Sequence, residues 1–470
     1  MNRTVLFHAT AILLLACLLV FSLTAAQNRR ARETVRVSAN DITAQSTFTA
    51  SDKSDTSPLT DGDASTPWQA NGASLTVSYE EDIRYLYIEY AVVPSHSYEI
   101  DGGLTGGDTP FISEVITLPE PRSSVTLFPG DISLTLVRVI GDGDLPDDVP
   151  VWEETPEKAA LMLIVAHPDD DILWFGGTLP YYSGVRKLNT VVVYLSTPNR
   201  RRMSEALNGL WTAGVRQYPV FGSFPDVYSR LQSEMLRLWG EEAVDGFLTE
   251  TIRRHKPDVL LSHGPDGEYG HAAHKIICAR LQVCLHDIED TSFMPQSAKK
   301  YGVWTPKKVY FHAYTENTVE MNWDVPLDRF GGKTGYEVAS EAFACHGSQQ
   351  TGRHLLRHKG KTGCTSFGLY CTKVGKDVYG NDFFENIPFS SEQLSEPITS
   401  PVPSVPFGVA GNPVTLLLPQ EGALPAESEA QFFDEENPSL FLPLCLIAAA
   451  LAFGVLVVIL RRIRKKRGAP

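Results

Sequence analysis

The sequence predicts two domains of different class, an all-β domain followed by an α/β domain built on a parallel sheet. Three observations predict it. Between residues 33 and 150, short alternating runs such as Leu75-Thr76-Val77-Ser78-Tyr79 and Tyr85-Leu86-Tyr87-Ile88-Glu89-Tyr90 are separated by Gly, Asp and Pro clusters, the pattern of half-buried strands. Beyond residue 157, wholly apolar runs too short for helices alternate with helix-length stretches, as in a parallel sheet covered on both faces. One such run, Leu161 to Ala166, ends abruptly in His167-Pro168-Asp169-Asp170-Asp171, and in open α/β sheets ligands sit beyond the carboxyl ends of strands.

Taken in order, the chain opens with Arg3, an apolar run from about Ala9 to Leu23, and Thr24-Ala25-Ala26-Gln27, which reads as a secretory signal over 1–26; an uncleaved anchor is the alternative. The all-β domain occupies 33–150. A proline-marked linker near 145–156 leads to the α/β domain at 157–386. There we expect strands at 161–166, 190–196, 218–223, 258–262 and 308–314, and helices near 202–213, 228–254 and 272–287. Nine prolines among Ser and Glu make 387–438 a stalk without a core of its own. Residues 440–460 carry no charge and are long enough to span a bilayer. The basic tail at 461–470 follows, and positive charge marks the cytoplasmic side, which places 27–438 outside the cytoplasm of a single-pass membrane protein.

The formal net charge of -15 argues against nucleic acid as a partner, whose phosphates demand a basic surface. Five cysteines lie in the exported part; Cys364 and Cys371 are the expected disulfide, and Cys278 is expected in the core.

Three carboxylates beside one imidazole within five residues repel one another unless compensated, and a divalent cation is the simplest remedy. A polar strand-to-helix turn with an Asp as helix N-cap is the plain alternative. A second strand, Asp258–Ser262, ends the same way about a hundred residues on. A Gly-rich loop follows, then His271-Ala272-Ala273-His274 at the start of a helix. His167, Asp170 and His274 together make two imidazoles and one carboxylate, a ligand set typical of catalytic zinc with a position left for water.

Ala166-His167-Pro168-Asp169-Asp170, with Gly267-Glu268-Tyr269-Gly270-His271 and His274, resembles the PIG-L/LmbE-like family of zinc-dependent N-deacetylases. The likeness runs from about 157 to 385, through Arg202-Met203-Ser204-Glu205, Trp304 to Tyr310, and His346-Gly347-Ser348-Gln349. It implies a Rossmann-like parallel-sheet deacetylase domain. It also implies zinc held by His167, Asp170 and His274, and Asp169 as general base. His271 would stabilise the oxyanion or act as acid, and Tyr269 would contact the tetrahedral intermediate. Arg202 matches a position that binds substrate hydroxyls in some relatives; a surface ion pair with Glu205 is the alternative. Many relatives carry Asp where this chain has Ala273, which puts the protonation of His271 in question. Asp171 replaces the more usual Glu.

Leu59 to Trp68 resembles the signature of discoidin-type, galactose-binding-like β-sandwiches, which implies glycan binding at loop tips, with Asp61 and Asp63 as candidates for a structural calcium. A spacer domain without ligand is the alternative. The reading that emerges is a membrane-anchored, cell-surface zinc hydrolase removing acetyl from an N-acetylglucosamine-type glycan or glycoconjugate. The alternatives are a non-catalytic glycan-binding protein on the same folds and a hydrolase of another small amide.

Overall fold

The computed structural model describes residues 40–350, 354–360 and 362–388. The expected signal, transmembrane run and basic tail, and the stalk from 389 onward, lie outside them; among the described residues no helix is long and apolar enough to cross a membrane.

The N-terminal part is all-β, as expected, and its seven strands belong to one curled antiparallel sheet. They are β1 (Thr47–Ala50), β2 (Trp68–Gln69), β3 (Leu75–Tyr90), β4 (Tyr98–Ile100), β5 (Leu104–Gly106), β6 (Ser113–Phe128) and β7 (Ser133–Gly141). β3 and β6 are each 16 residues long and pair along most of their length. β1 pairs with residues 75–78 of β3, β7 with residues 83–90, and the ladder slips between Ser78 and Ile83. The interruption falls at Glu80-Glu81-Asp82, exposed charges that leave an apolar-alternating strand on either side. The loop from Leu59 to Trp68, where a discoidin-type signature was expected, is closed by its own hydrogen bonds. Asp61 Oδ1 accepts from Asp63 N (2.7 Å), Asp61 Oδ2 from Thr66 Oγ1 (2.6 Å), and Asp63 Oδ1 from Ser65 N (2.9 Å).

The second part is a seven-stranded sheet flanked by helices. Its elements are β8 (Leu161–Val165), α1 (Asp170–Leu173), β9 (Thr190–Ser196), α2 (Arg200–Thr212), β10 (Val220–Phe224), α3 (Gln232–Trp239), α4 (Glu241–His255), β11 (Val259–Ser262), α5 (Ala272–Asp287), α6 (Pro295–Tyr301), β12 (Lys308–His312), β13 (Thr318–Glu320), the short hairpin β14 (Pro326–Leu327) and β15 (Lys333–Thr334), α7 (Gly335–Ala344) and β16 (Ser366–Thr372). Strands run in the order β10-β9-β8-β11-β12-β16-β13. The first five are parallel. The last two are antiparallel to their neighbours, so the sheet is mixed where the sequence predicted a parallel one. β16 is only partly buried and follows no crossover helix, so it carries neither signal that marks the inner strands.

Every residue of β8, β9, β11 and β12 is buried, because helices cover both faces. Leu161, Leu163, Val165, Val192, Val259 and Leu261 face Ala206, Leu210, Ala339 and Ala342 of α2 and α7. Met162, Ile164, Val191, Val193, Leu260 and Val309 face Val244, Leu248, Ile252, Ile276 and Leu281 of α4 and α5. The expected helix 228–254 is two helices. Gly240 sits at φ 78°, a left-handed conformation that glycine adopts without a Cβ clash, and it ends α3 and starts α4.

Cys364 and Cys371 are not bonded to each other. Cys364 is buried against Gly176 and Trp323, whereas Cys371 lies in β16 opposite Val309. Cys278 is buried in α5, as expected.

The two sheets share one core. Phe111 stacks near Tyr218 (ring centroids 5.0 Å), and Trp152 stands edge-on to Trp211 and Tyr218 (5.6 Å each). Beside these rings, Arg200 at the start of α2 donates to Glu89 Oε2 (2.6 Å), the Tyr90 carbonyl (2.7 Å) and Thr135 (3.2 Å). Removing one partner of such a buried pair strands the other charge, at a cost of about 3 kcal/mol or more. Arg200→Ala should therefore lower the denaturant midpoint markedly, followed by tryptophan fluorescence. Arg201→Ala, whose side chain is 55% exposed, should cost less than about 1 kcal/mol. Equal shifts for both would mean that the Arg200 contacts contribute no more than a surface pair.

Candidate metal centre

Strand order decides where the site lies. β9 lies on one side of β8 and β11 on the other, so the chain leaves these two central neighbours in opposite directions and a crevice opens beyond their carboxyl ends. β8 and β11 run in register from Leu161↔Val259 to Ile164↔Ser262, and Ser262 Oγ donates to the Ile164 carbonyl at 2.7 Å. His167-Pro168-Asp169-Asp170 follows one strand and His263 to His274 the other, so two segments about a hundred residues apart meet at one place.

Asp170, at the first turn of α1, is the centre of the group. Its Oδ1 accepts from Trp174 Nε1 (2.8 Å), and its Oδ2 accepts from the backbone N–H of His167 (2.8 Å). Around the same Oδ2 stand His167 Nδ1 at 3.0 Å, His274 Nε2 at 3.3 Å and His263 Nε2 at 3.5 Å. Burial alone would raise this carboxyl, but the imidazoles of His274 and His167 outweigh it and hold Asp170 well below the usual carboxylate range.

His274 is fully buried, and its Nε2 has no hydrogen-bond partner among the described residues. Its Nδ1 meets Glu268 Oε2 at 2.7 Å, which places the ring hydrogen there and leaves a lone pair on Nε2, facing Asp170. The donor atoms of His167, Asp170 and His274 all lie within 4.8 Å of one another. A tetrahedral ion with bonds of about 2.0–2.1 Å spaces its ligands about 3.3 Å apart. An orphaned buried nitrogen, a low-lying carboxylate and edges of 3.0 and 3.3 Å fit such an ion.

A second group, His263, Glu268 and His274, also brings three donors together. Its contacts are 2.7 Å hydrogen bonds, and it uses the His274 nitrogen opposite to the one facing Asp170. It is therefore a shell around the first group. His263 is satisfied on both sides, with Nδ1 on Glu268 and Nε2 accepting from Ala166 N at 3.0 Å.

Asp169 is not one of the three donors. It sits at φ 116°, a strained conformation for a residue with a Cβ, and its Oδ1 is 3.5 Å from Arg202 Nη2. Burial and the neighbouring Asp170 charge push its carboxyl well above the usual range, and Arg202 opposes them. Arg202 also donates to the Pro168 carbonyl (2.7 Å) and pairs with Asp226; Glu205 instead pairs with Arg201 (3.1 Å) and accepts from Ser348 N (2.7 Å). Asp171 is fully buried beside Tyr194 and is pushed up to about 7 by burial.

His271 caps α5 by accepting from Ala273 N at Nδ1 (3.2 Å), so its hydrogen is on Nε2. Burial, then the neighbouring imidazoles of His274 and His167, push this ring down to about 2, so it is neutral. Tyr269, at φ 43°, is 39% exposed at the mouth, its ring 5.8 Å from that of His271 and 5.6 Å from that of His274. Burial and the nearby Asp170 and Asp169 push its phenol upward, so it stays protonated. The structure thus brings His167, Asp169, Asp170, Tyr269, His271, His274 and Arg202 together, and leaves Asp61 and Asp63 in the exposed loop of the other sheet, outside both three-donor groups.

Sequence reasoning assigned no role to Glu268, His312 or Asp226. Glu268 stood inside the quoted motif, but its partner His312 comes from β12, 44 residues on. Asp226 lies near His167 Nε2 (3.7 Å) on a loop without any motif. Gly264 closes the base of the site. A Cβ there would stand 2.2 Å from the His312 carbonyl oxygen, so the close approach of the ends of β11 and β12 requires glycine.

Residues 162–283 match the family described as "PIG-L: GlcNAc-PI de-N-acetylase". They form a PIG-L domain. The segment contains His167, Asp169, Asp170, Arg202, Tyr269, His271 and His274. A probable N-acetylglucosaminyl-phosphatidylinositol de-N-acetylase of Schizosaccharomyces pombe is 23% identical over 170 residues, 34% of this chain and 68% of that one. Among solved structures, N,N'-diacetylchitobiose deacetylase from Pyrococcus horikoshii is similar at 18% identity and a TM-score of 0.31, over 41% of this chain and 71% of that one. GalB, the 4-carboxy-2-hydroxymuconate hydratase from Pseudomonas putida KT2440, is similar at 15% identity and 0.31, over 47% and 99%. Scores of this size carry no function across.

If the three donors form the site, Asp170→Ala and His274→Ala should each abolish stoichiometric zinc in the purified chain. Asp171→Asn should keep it, because Asp171 is outside the group. Full zinc in both alanine variants, by elemental analysis, would place the ion elsewhere.

Proposed function

We propose that the protein is a zinc-dependent N-deacetylase that hydrolyses the acetamide of an N-acetylglucosamine-type glycan or glycoconjugate. The observation that carries this reading is the buried His167/Asp170/His274 group with a separate carboxylate, Asp169, held beside it on strained backbone, all inside the PIG-L domain. The de-N-acetylase named among the relatives supports the substrate class. The uncharged run at 440–460 and its basic flank support a membrane-anchored enzyme with its catalytic domain outside the cell.

Zinc in such a site polarises the acyl oxygen and acidifies water. The chain's own residues supply the rest. Hydrolysis adds hydroxide to the acyl carbon and a proton to the nitrogen, breaking the C–N bond to give acetate and a free amine. Asp169 takes the proton of the attacking water and returns it to the departing nitrogen. Arg202, 3.5 Å away, limits the upward shift of the Asp169 carboxyl and orients it. His271 is neutral and carries its hydrogen on Nε2, so of the two roles implied by the resemblance it takes oxyanion stabilisation, as a hydrogen-bond donor. Tyr269 donates from the solvent side of the same space. The presence of base and all three donors favours an enzyme over a glycan-binding protein that has lost activity. We retain a discoidin-like, glycan-binding role for the N-terminal sheet within the same proposal.

The test is acetate release from a panel of N-acetylglucosaminides. Asp169→Asn should keep full zinc while its rate falls by about 10²–10⁴-fold, the usual contribution of a general base. If Asp169→Asn keeps both zinc and full activity, the base lies elsewhere.

A further inference from the structure

Behind His274 lies a buried cluster that no step above uses. The Glu268 side chain is 2% exposed and accepts from three imidazoles: His263 Nδ1 and His274 Nδ1 on Oε2, and His312 Nδ1 on Oε1, each at 2.7 Å. The Gly264 N–H (3.4 Å) completes the set on Oε1. Four donors on one carboxylate fill its four lone-pair positions. Burial would push the Glu268 carboxyl up, but the imidazole donors outweigh it and hold it well below the usual range.

The far ends of the three rings differ. His263 Nε2 accepts from Ala166 N, so that ring is fixed in place against the end of β8. His312 Nε2 faces the Gly363 carbonyl at 2.7 Å while its Nδ1 faces Glu268, so that ring is held at both ends. Only His274 has a far nitrogen without a partner among the described residues, and that nitrogen faces Asp170. His263 and His274 are also stacked, with ring centroids 3.9 Å apart and planes within 12°, so the ring of His274 has little room to turn.

We propose that Glu268, anchored by His312 and His263, is a positioning residue. It takes the Nδ1 hydrogen of His274, fixes the tautomer, and aims the Nε2 lone pair at the metal position. A ligand imidazole whose other nitrogen donates to a carboxylate is a better electron donor, and losing such a partner typically lowers metal affinity about 10–100-fold. This inference rests on His167, Asp170 and His274 being the metal ligands.

The test measures zinc affinity of the purified full chain by competition with a chelator, together with the absorption spectrum of the cobalt-substituted protein. Glu268→Leu keeps approximate volume and removes every acceptor; its affinity should fall about 100-fold. Glu268→Gln keeps one oxygen for His274 but loses the charge, so a fall of about 10-fold and a shifted cobalt spectrum are expected. A role in filling space alone predicts wild-type affinity and spectrum in both variants, and that result overturns the proposal. Should Glu268→Leu not fold, Glu268→Gln is decisive: unchanged affinity and spectrum overturn the proposal, and the expected fall supports it. Acetate release is measured separately. Zinc affinity that follows Glu268 in a chain releasing no acetate overturns the deacetylase reading and supports the positioning role. A wild-type chain that takes up no zinc overturns both.

Discussion

Everything at the site depends on β8 and β11 lying side by side. Their parallel register aligns Ile164 with Ser262, so the next residues of both strands leave the sheet at the same level. The Ala166 N–H then bonds to His263 Nε2, tying one strand end to the other. Without that pairing, His167 and Asp170 would have no relation to His274. The buried apolar faces above and below the strands hold them in register: a slip by one residue would turn every side chain to the other face. Ordinary packing of Leu, Ile and Val thus sets the geometry of a polar group beyond the strand ends.

A second constraint comes from charge. Asp169, Asp170, Asp171 and Glu268 are all buried within a short distance, against His167, His263, His271, His274 and His312. The cluster separates into two levels. Next to the crevice, Asp170 faces the unsatisfied nitrogen of His274. Deeper, Glu268 is saturated by hydrogen bonds. Neighbouring carboxylates are held at different protonation tendencies by their surroundings alone: Asp170 low among imidazoles, Asp169 and Asp171 high through burial.

Much of the inner sheet and the residues of the site were legible in the sequence because their signals are local. A wholly apolar run ending in His-Pro-Asp-Asp-Asp states its strand and its turn within a dozen residues, and His271 and His274 sit one helical turn apart. What the sequence did not display depends on distant chain. The antiparallel edge formed by β16 and β13 pairs β16 with β12 across more than fifty residues of chain. The break at Gly240 was hidden because helical periodicity continues on both sides of it. The pairing of Arg202 with Asp226 in place of Glu205 comes from the loop after β10, 24 residues on, which no spacing rule anticipates. The strained backbone of Asp169 has no sequence signature at all, since Asp is common in turns of every kind.

Gly264 shows what such a design means for the drift of the sequence over generations. It offers no side chain, and its N–H is one donor among four on Glu268. Yet the carbonyl of His312 lies where its Cβ would be, so even alanine would push apart the two strand ends that aim His263 and His312 at their shared carboxylate. Selection on the chemistry is therefore felt at a position with no chemistry of its own. Variation among descendants of this chain should be as restricted there as at the histidines themselves.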